Sequence, residues 1–322
     1  MLINGMRWYD TDNNEIHAHG GCMLEYGEYC YWYGENRTDN NFVSCYRTKD
    51  FKTWEFCNHI LTSESFAQKI NERNDLSLKR KEENFDPDVP KLGLLRYDNQ
   101  KNIIANIERP KVVYNPKTGK FVMWMHYENG HDYDDARCAI ATCDTPDGDF
   151  VYHGSFRPMG NESRDCTLYE FKDKMYFVAA SNANLDLIAY ELTEDYLDIT
   201  DNKYVIFPGK KREAPAFFTK DGEVFVLTSG CTGWRPNQCM FSKSSNLSEW
   251  QELQNIGDSV TYYSQPAFVF HCKKTNKYYY IGDRWGNSSA EYFTSTYVVF
   301  EISFDNENIP QLVYCENAKL AE

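Results

Sequence analysis

Five polar residues recur at one phase of five similar segments, and three of them are acids. In chain order they are His19, Glu108, Asp165, Glu213 and Gln265. Each stands just ahead of an apolar strand, a tight turn and a second, aromatic strand, as in Glu213-Ala-Pro-Ala-Phe-Phe before Gly222-Glu-Val-Phe-Val-Leu. A motif repeated at roughly 50 residues is what a radial array of small sheets leaves in a sequence. Side chains at one phase of such an array converge on its axis. Carboxylates brought together there repel, which raises at least one pKa and keeps a proton available near neutral pH. A glycosidase uses such chemistry, with a carboxylic acid to protonate the leaving oxygen and a second group to activate water or attack carbon. The competing reading is that Glu108, Asp165 and Glu213 form salt bridges with the neighbouring Arg109, Arg164 and Arg212 at blade junctions. Three acids in register favour a site.

Aromatic residues at the ends of the second strands point the same way. Trp32-Tyr33-Gly34-Glu35, His126-Tyr127-Glu128, Cys231-Thr232-Gly233-Trp234 and Asp283-Arg284-Trp285 each place rings beside polar groups. Apolar sugar faces stack on such rings while carboxylates accept hydrogen bonds from hydroxyls. The plainer role for any one of these rings is core packing.

The elements that must position these groups are strands. Alternation of period two runs through Tyr29–Tyr33, Phe121–Met125, Met175–Val178, Glu223–Thr228 and Tyr278–Ile281. Turn signals such as Asn115-Pro-Lys-Thr-Gly119 and Lys220-Asp-Gly222 introduce them. A second strand pair follows each hairpin, for example at Val43–Thr48, Ala139–Cys143, Leu187–Leu192 and Cys239–Lys243. Two hairpins per repeat make one four-stranded antiparallel blade, so the chain reads as all-β, a single five-bladed β-propeller over 1–322. The strand Tyr297–Phe304 completes the last blade or closes the ring. One interval is too long, between Gly27 and Gly119. Its excess maps to an inserted polar arm at about 63–102, helix-tolerant until Pro87 and Pro90, and too poor in apolar residues for a core of its own.

Composition agrees. Aromatic residues make up 16% of the chain, with 24 Tyr and 20 Phe, as suits pleated sheets. Eleven cysteines without framework spacing or a C-x-x-C pair read as small buried hydrophobes. A net charge of −14 repels phosphate backbones and argues against nucleic acid as a partner. No apolar run reaches the roughly 18 residues needed to span a bilayer, so no membrane partner is expected. The first residues lack a basic region and apolar core, giving the expectation of a cytoplasmic protein, or a secreted one if trimmed ahead of Met1.

Several motifs in fixed order resemble glycoside hydrolase family 43. They are Ala18-His-Gly-Gly, Tyr31-Trp-Tyr-Gly-Glu35, Glu108-Arg-Pro-Lys, Val122-Met-Trp-Met-His126, Ser163-Arg-Asp165, Arg212-Glu-Ala-Pro-Ala216, Thr228-Ser-Gly-Cys-Thr-Gly-Trp234, Ser264-Gln265 and Gly282-Asp-Arg-Trp285. The likeness is strongest to the exo-β-1,3-galactanase branch and spans nearly all the chain outside the arm. It implies a five-bladed propeller releasing galactose with inversion. By that resemblance Glu213 is the general acid and Asp165 orients and tunes it. Glu108, Glu35 and Tyr127 bind the terminal galactose, with His19, Thr232, Trp234, Arg284 and Trp285 as further sugar contacts. Most of the family carries a basic Asp in the first blade, where this chain has His19-Gly-Gly. The galactanase branch shares that absence and presents a glutamine, here Gln265, to the attacking water. A normal amide cannot take the water's proton, so Glu108 or an amide tautomer must, and the sequence leaves this open. Acid and water-activating group are expected about 6.5–9.5 Å apart. No cofactor is required, although the family admits a structural cation in the central channel; no ligand cluster in the sequence predicts one. The partner is an oligosaccharide or polysaccharide, and the oligomeric state is not set. The alternatives are a sister specificity, β-xylosidase or α-L-arabinofuranosidase, and a non-catalytic sugar-binding propeller.

Overall fold

The computed structural model describes residues 2–68, 105–130 and 132–321. Turn chemistry sets the hairpins. Lys220-Asp221-Gly222 needs positive φ at two successive positions, 52° and 79°, which Asp tolerates and Gly adopts freely. At the turn between Asn115 and Lys120, Asn115 Oδ1 accepts from the backbone N–H groups of Lys117 and Thr118 at 2.9 and 3.1 Å.

These hairpins assemble into five four-stranded antiparallel sheets, each of four consecutive strands. The first contains β1 (His19–Tyr26), β2 (Tyr29–Glu35), β3 (Asn41–Thr48) and β4 (Glu55–Thr62). The second contains β5 (Asn106–Asn115), β6 (Lys120–Glu128), β7 (Arg137–Cys143) and β8 (Val151–Phe156). The third runs through β9 (Cys166–Phe171), β10 (Lys174–Ser181), β11 (Asp186–Leu192) and β12 (Ile199–Val205). The fourth is β13 (Arg212–Lys220), β14 (Glu223–Gly230), β15 (Met240–Ser244) and β16 (Gln254–Asn255). The fifth is β17 (Gln265–Cys272), β18 (Lys277–Arg284), β19 (Thr296–Phe304) and β20 (Pro310–Leu312). The expected five-bladed propeller is therefore the fold, and β19 occupies the place foreseen for Tyr297–Phe304.

The first strand of each blade is innermost, and each touches the next around a ring that closes from β17 to β1. Core residues gather between neighbouring sheets. One cluster (Tyr33, Met123, Tyr152) fills the first interface, and another (Phe218, Leu227, Phe300) the fourth. Burial of these faces drives the ring together, since each sheet alone would leave both surfaces wet. Asn4 helps close it by imitating a strand. Its Nδ2 donates to Val299 O at 2.9 Å and its Oδ1 accepts from Val299 N at 2.8 Å. Trp8 packs beside it on Tyr297, with ring centroids 5.4 Å apart.

Of the arm expected at 63–102, only its start is described. Ala67 bridges in parallel to Tyr152, and Gln68 N donates to Tyr152 O at 2.8 Å, so this start lies along the outer edge of the second blade. The remainder, including the helix-tolerant stretch, lies outside the described residues. All eleven cysteines are free, seven of them buried, as expected of small core residues.

Candidate active site

Four of the five recurrent positions face a polar residue on the second strand of the same blade, whereas Asp165, just ahead of β9, lies opposite Ala180. The register pairs His19 with Glu35, Glu108 with His126, Glu213 with Ser229 and Gln265 with Asp283. Directly after the first three of these the ladder slips by a β-bulge, and in the fifth blade it slips one residue later, after Pro266. In three blades the bulge residue is left-handed: Gly20 (φ 60°), Arg109 (φ 50°) and Ala214 (φ 53°). A bulge re-aims the side chain beside it, and a left-handed Arg or Ala is a cost retained only where the surroundings over-determine it. In four of the five blades the recurrent polar residue thus comes with a bulge at the mouth of the channel.

A cavity of about 340 Å³ opens there, lined by Glu35, Arg37, Glu108, Arg109, His126, Tyr133, Arg164, Asp165, Asn184, Glu213, Cys231, Gly233, Trp234, Gln265 and Trp285. Arg109 is its hub. Nε pairs with Asp165 Oδ2 at 2.9 Å, Nη1 donates to Pro266 O at 3.0 Å, and Nη2 donates to Gln265 Oε1. Gln265 Oε1 also accepts from Trp285 Nε1 at 2.8 Å. Its Nε2 donates to Glu213 Oε1 at 3.1 Å and to Ser229 Oγ at 2.9 Å. The amide's two donors and two lone pairs are therefore all engaged. The expected gap between acid and water-holding group is absent, because Gln265 and Glu213 are directly hydrogen-bonded.

The two glutamates have opposite electrostatics. Burial, reinforced by the charge of Asp165, pushes Glu213 up to about 8, against the opposing pull of Arg109. Asn184 Nδ2 holds its other oxygen at 3.1 Å. Burial would raise Glu108 too, but His126 and Arg37 outweigh it and hold this carboxyl well below its usual range. Arg37 Nη2 donates to Glu108 Oε1 at 2.9 Å and the Tyr133 hydroxyl does so at 3.1 Å. His126 stands behind, Nδ1 at 3.3 Å from Glu108 Oε2 and Nε2 at 2.7 Å from Glu128 Oε1. Burial lowers His126, yet these two carboxylates win and raise it to about 9. At neutral pH the cavity therefore presents a protonated Glu213, an ionised Glu108 and an imidazolium. Paired groups pushed apart in this way mark acid and base assignments.

Single ligand atoms of Glu108, His126 and Asp165 lie within 4.8 Å of one another, a set that the sequence did not reveal. It does not suit a cation. Both imidazole nitrogens face carboxylates, and Asp165 is already neutralised by the Arg109 guanidinium.

The structure brings Glu213, Gln265, Asp165, Glu108, Glu35, Trp234 and Trp285 to the cavity as expected. Four expected sugar contacts fall elsewhere. Tyr127 lies one residue from His126 and so points to the opposite face of β6, into the core between the first two blades. His19 is buried, its Nδ1 at 2.9 Å from Asp283 Oδ1 and its ring stacked on Tyr297 at 4.4 Å, so that it supports Trp285 from behind. Thr232 ties its own loop, donating to Arg235 O at 2.6 Å. Arg284 lines an adjoining cleft of about 130 Å³ that shares Trp234, Gln265 and Trp285 with the main cavity. Sequence reasoning missed Arg37, His126, Tyr133 and Asn184. Only His126 carried a signal, as the first residue of the His126-Tyr127-Glu128 motif at the end of a second strand.

No family model and no curated protein matches the chain. Solved structures do. An exo-β-1,3-galactanase from Clostridium thermocellum is 40% identical with a TM-score of 0.81, over 97% of this chain and 65% of that one. A GH43 β-1,3-galactosidase solved with galactodeoxynojirimycin is 28% identical with a TM-score of 0.82, over 99% and 100%. An exo-β-1,3-galactanase from Phanerochaete chrysosporium with β-1,3-galactotriose is 28% identical with a TM-score of 0.78, over 98% and 67%. The chain thus spans about two thirds of the length of the two galactanases. With the propeller, the ordered motifs and the carboxylate site in agreement, the chain belongs to glycoside hydrolase family 43.

Proposed function

We propose that the protein is an inverting exo-acting hydrolase that releases single galactose units from β-1,3-linked galactan or galacto-oligosaccharides. The observation that carries this reading is the split of two glutamates in one pocket, Glu213 pushed up to about 8 and Glu108 held ionised. The likeness to galactanases and a galactosidase supplies the sugar and the linkage. In this reading the terminal galactose hydrogen-bonds Glu108 and Glu35 and stacks on the indoles of Trp234 and Trp285. Glu213 gives its proton to the glycosidic oxygen as the C1–O bond breaks. Water adds to the opposite face of C1, and its proton passes to the Glu108 carboxylate. Asp165 keeps Glu213 protonated, and Gln265 keys Glu213 and Arg109 together. The reaction needs no metal in this scheme, because Arg109, Arg37 and His126 already supply positive charge around the carboxylates.

The test is a substrate panel on the purified chain. Galactose as the monosaccharide product from β-1,3-galactobiose supports the reading. Turnover of xylosides or arabinofuranosides without release from galactobiose moves the protein to a sister specificity. Calorimetric binding without turnover, unchanged in Glu213→Gln, makes it a sugar-binding propeller.

A further inference from the structure

Beneath the cavity floor lies a buried cation to which the reaction above gives no role. Lys111 is 2% exposed and sits two residues after Arg109 on β5. Among the described residues no carboxylate pairs with it. Instead Nζ donates to the carbonyl of Gly20 at 2.5 Å and to that of Arg109 at 3.2 Å. These are the two left-handed bulge residues of adjacent inner strands. The bulges touch, since a methyl group built at Gly20 would meet Arg109 Cγ at 3.1 Å. A buried, unpaired ammonium is expensive, and this one is directed at two carbonyls that the bulges turn out of the strand ladder.

We propose that Lys111 is a positioning residue for the hydrolysis. By fastening the carbonyls of Gly20 and Arg109 it holds Arg109 left-handed. From that backbone the guanidinium reaches Asp165, Gln265 and Pro266 O together. Lys111 touches no substrate and acts through Arg109. The inference rests on the galactosidase reading for its kinetic assay but not for its geometry.

The test is a double-mutant cycle on galactobiose hydrolysis with Lys111→Met, Arg109→Met and the pair, beside a crystal structure of Lys111→Met. A misplacement of about 1 Å in such a site lowers kcat on the order of 100-fold. The expected results are that loss in kcat for Lys111→Met, with KM within about threefold, and a pair no slower than Arg109→Met alone. Lys111→Gln, which keeps N–H donors without the charge, recovers part of the loss. It also carries the test should Lys111→Met not fold. Effects that multiply, or a kcat within about threefold of the parent, overturn the proposal. If the parent releases no galactose, the galactosidase reading fails and the crystal structure decides this one. Arg109 losing its left-handed φ and its contact with Gln265 sustains the proposal, and an undisturbed Arg109 overturns it.

Discussion

Replacing Glu213 by Gln removes one oxygen's proton chemistry and leaves the shape of the site nearly unchanged. The displacement of this carboxyl from 4.5 to about 8 corresponds to about 5 kcal/mol against the ionised form. In the folded protein Glu213 stays protonated through the range in which the unfolded chain ionises. Its contribution to stability is therefore complete below about pH 4.5 and lost progressively as pH rises through about 8. A glutamine has no such loss. Relaxation and water entry consume about half of the electrostatic cost, so the variant should gain roughly 2–3 kcal/mol on the parent between pH 5 and 9. For a chain of this size that is about 3–5 °C in Tm, read by calorimetry across that range. His126, raised to about 9, loses stability in the same direction but does so in both proteins, so it cancels from the difference. The kinetic arm uses two leaving groups. With β-1,3-galactobiose, kcat should fall by about 10²–10⁴, the usual worth of general acid catalysis. With dinitrophenyl β-galactoside, whose leaving group needs no proton, it should fall less than about tenfold. An equal loss on both substrates, together with a Tm difference that does not change with pH, would refute the assignment of Glu213 as a buried acid.

Three further outcomes follow from the same geometry. Asp165→Asn removes the neighbouring charge that helps raise Glu213, so the basic limb of the kcat profile, near pH 8 in the parent, should move to lower pH; a stationary limb contradicts the coupling. Glu108→Gln strips Arg37 and His126 of their shared partner, and should cost about 3–5 kcal/mol in thermal unfolding at pH 7 as well as most of kcat/KM. His19→Ala should act on stability, by about 2–4 kcal/mol, while KM for galactobiose stays within about threefold, because His19 braces Asp283 and Tyr297 behind the cavity.

The blades were readable because their causes are local. Alternation and turn residues such as Asp221-Gly222 act within a few positions, and recurrence gave their number. The acids were readable because one phase of one strand decides where they stand. What the sequence concealed depends on parity and on contacts between blades. Tyr127 and His126 differ by one position on β6, and only the pairing of Glu108 with His126 says which of them faces the axis. His19 holds the correct phase, but the bulge at Gly20 hands it to Asp283 of the fifth blade. Arg37 and Tyr133 reach Glu108 from loops outside the strands, which no period marks. Gln265 shows the same limit. Its place was evident, whereas the closure of its amide on Glu213, Arg109, Ser229 and Trp285 needed four elements in position.

The central claim, hydrolysis of a β-1,3-galactosidic bond by an acid and a water on opposite faces, is tested most directly by following cleavage of methyl β-1,3-galactobioside, whose reducing end is locked, with time-resolved proton NMR. The first galactose set free from the non-reducing end should carry the α-anomeric signal, with the β signal growing only as mutarotation proceeds. Initial β-galactose, or no release at all, would contradict the account.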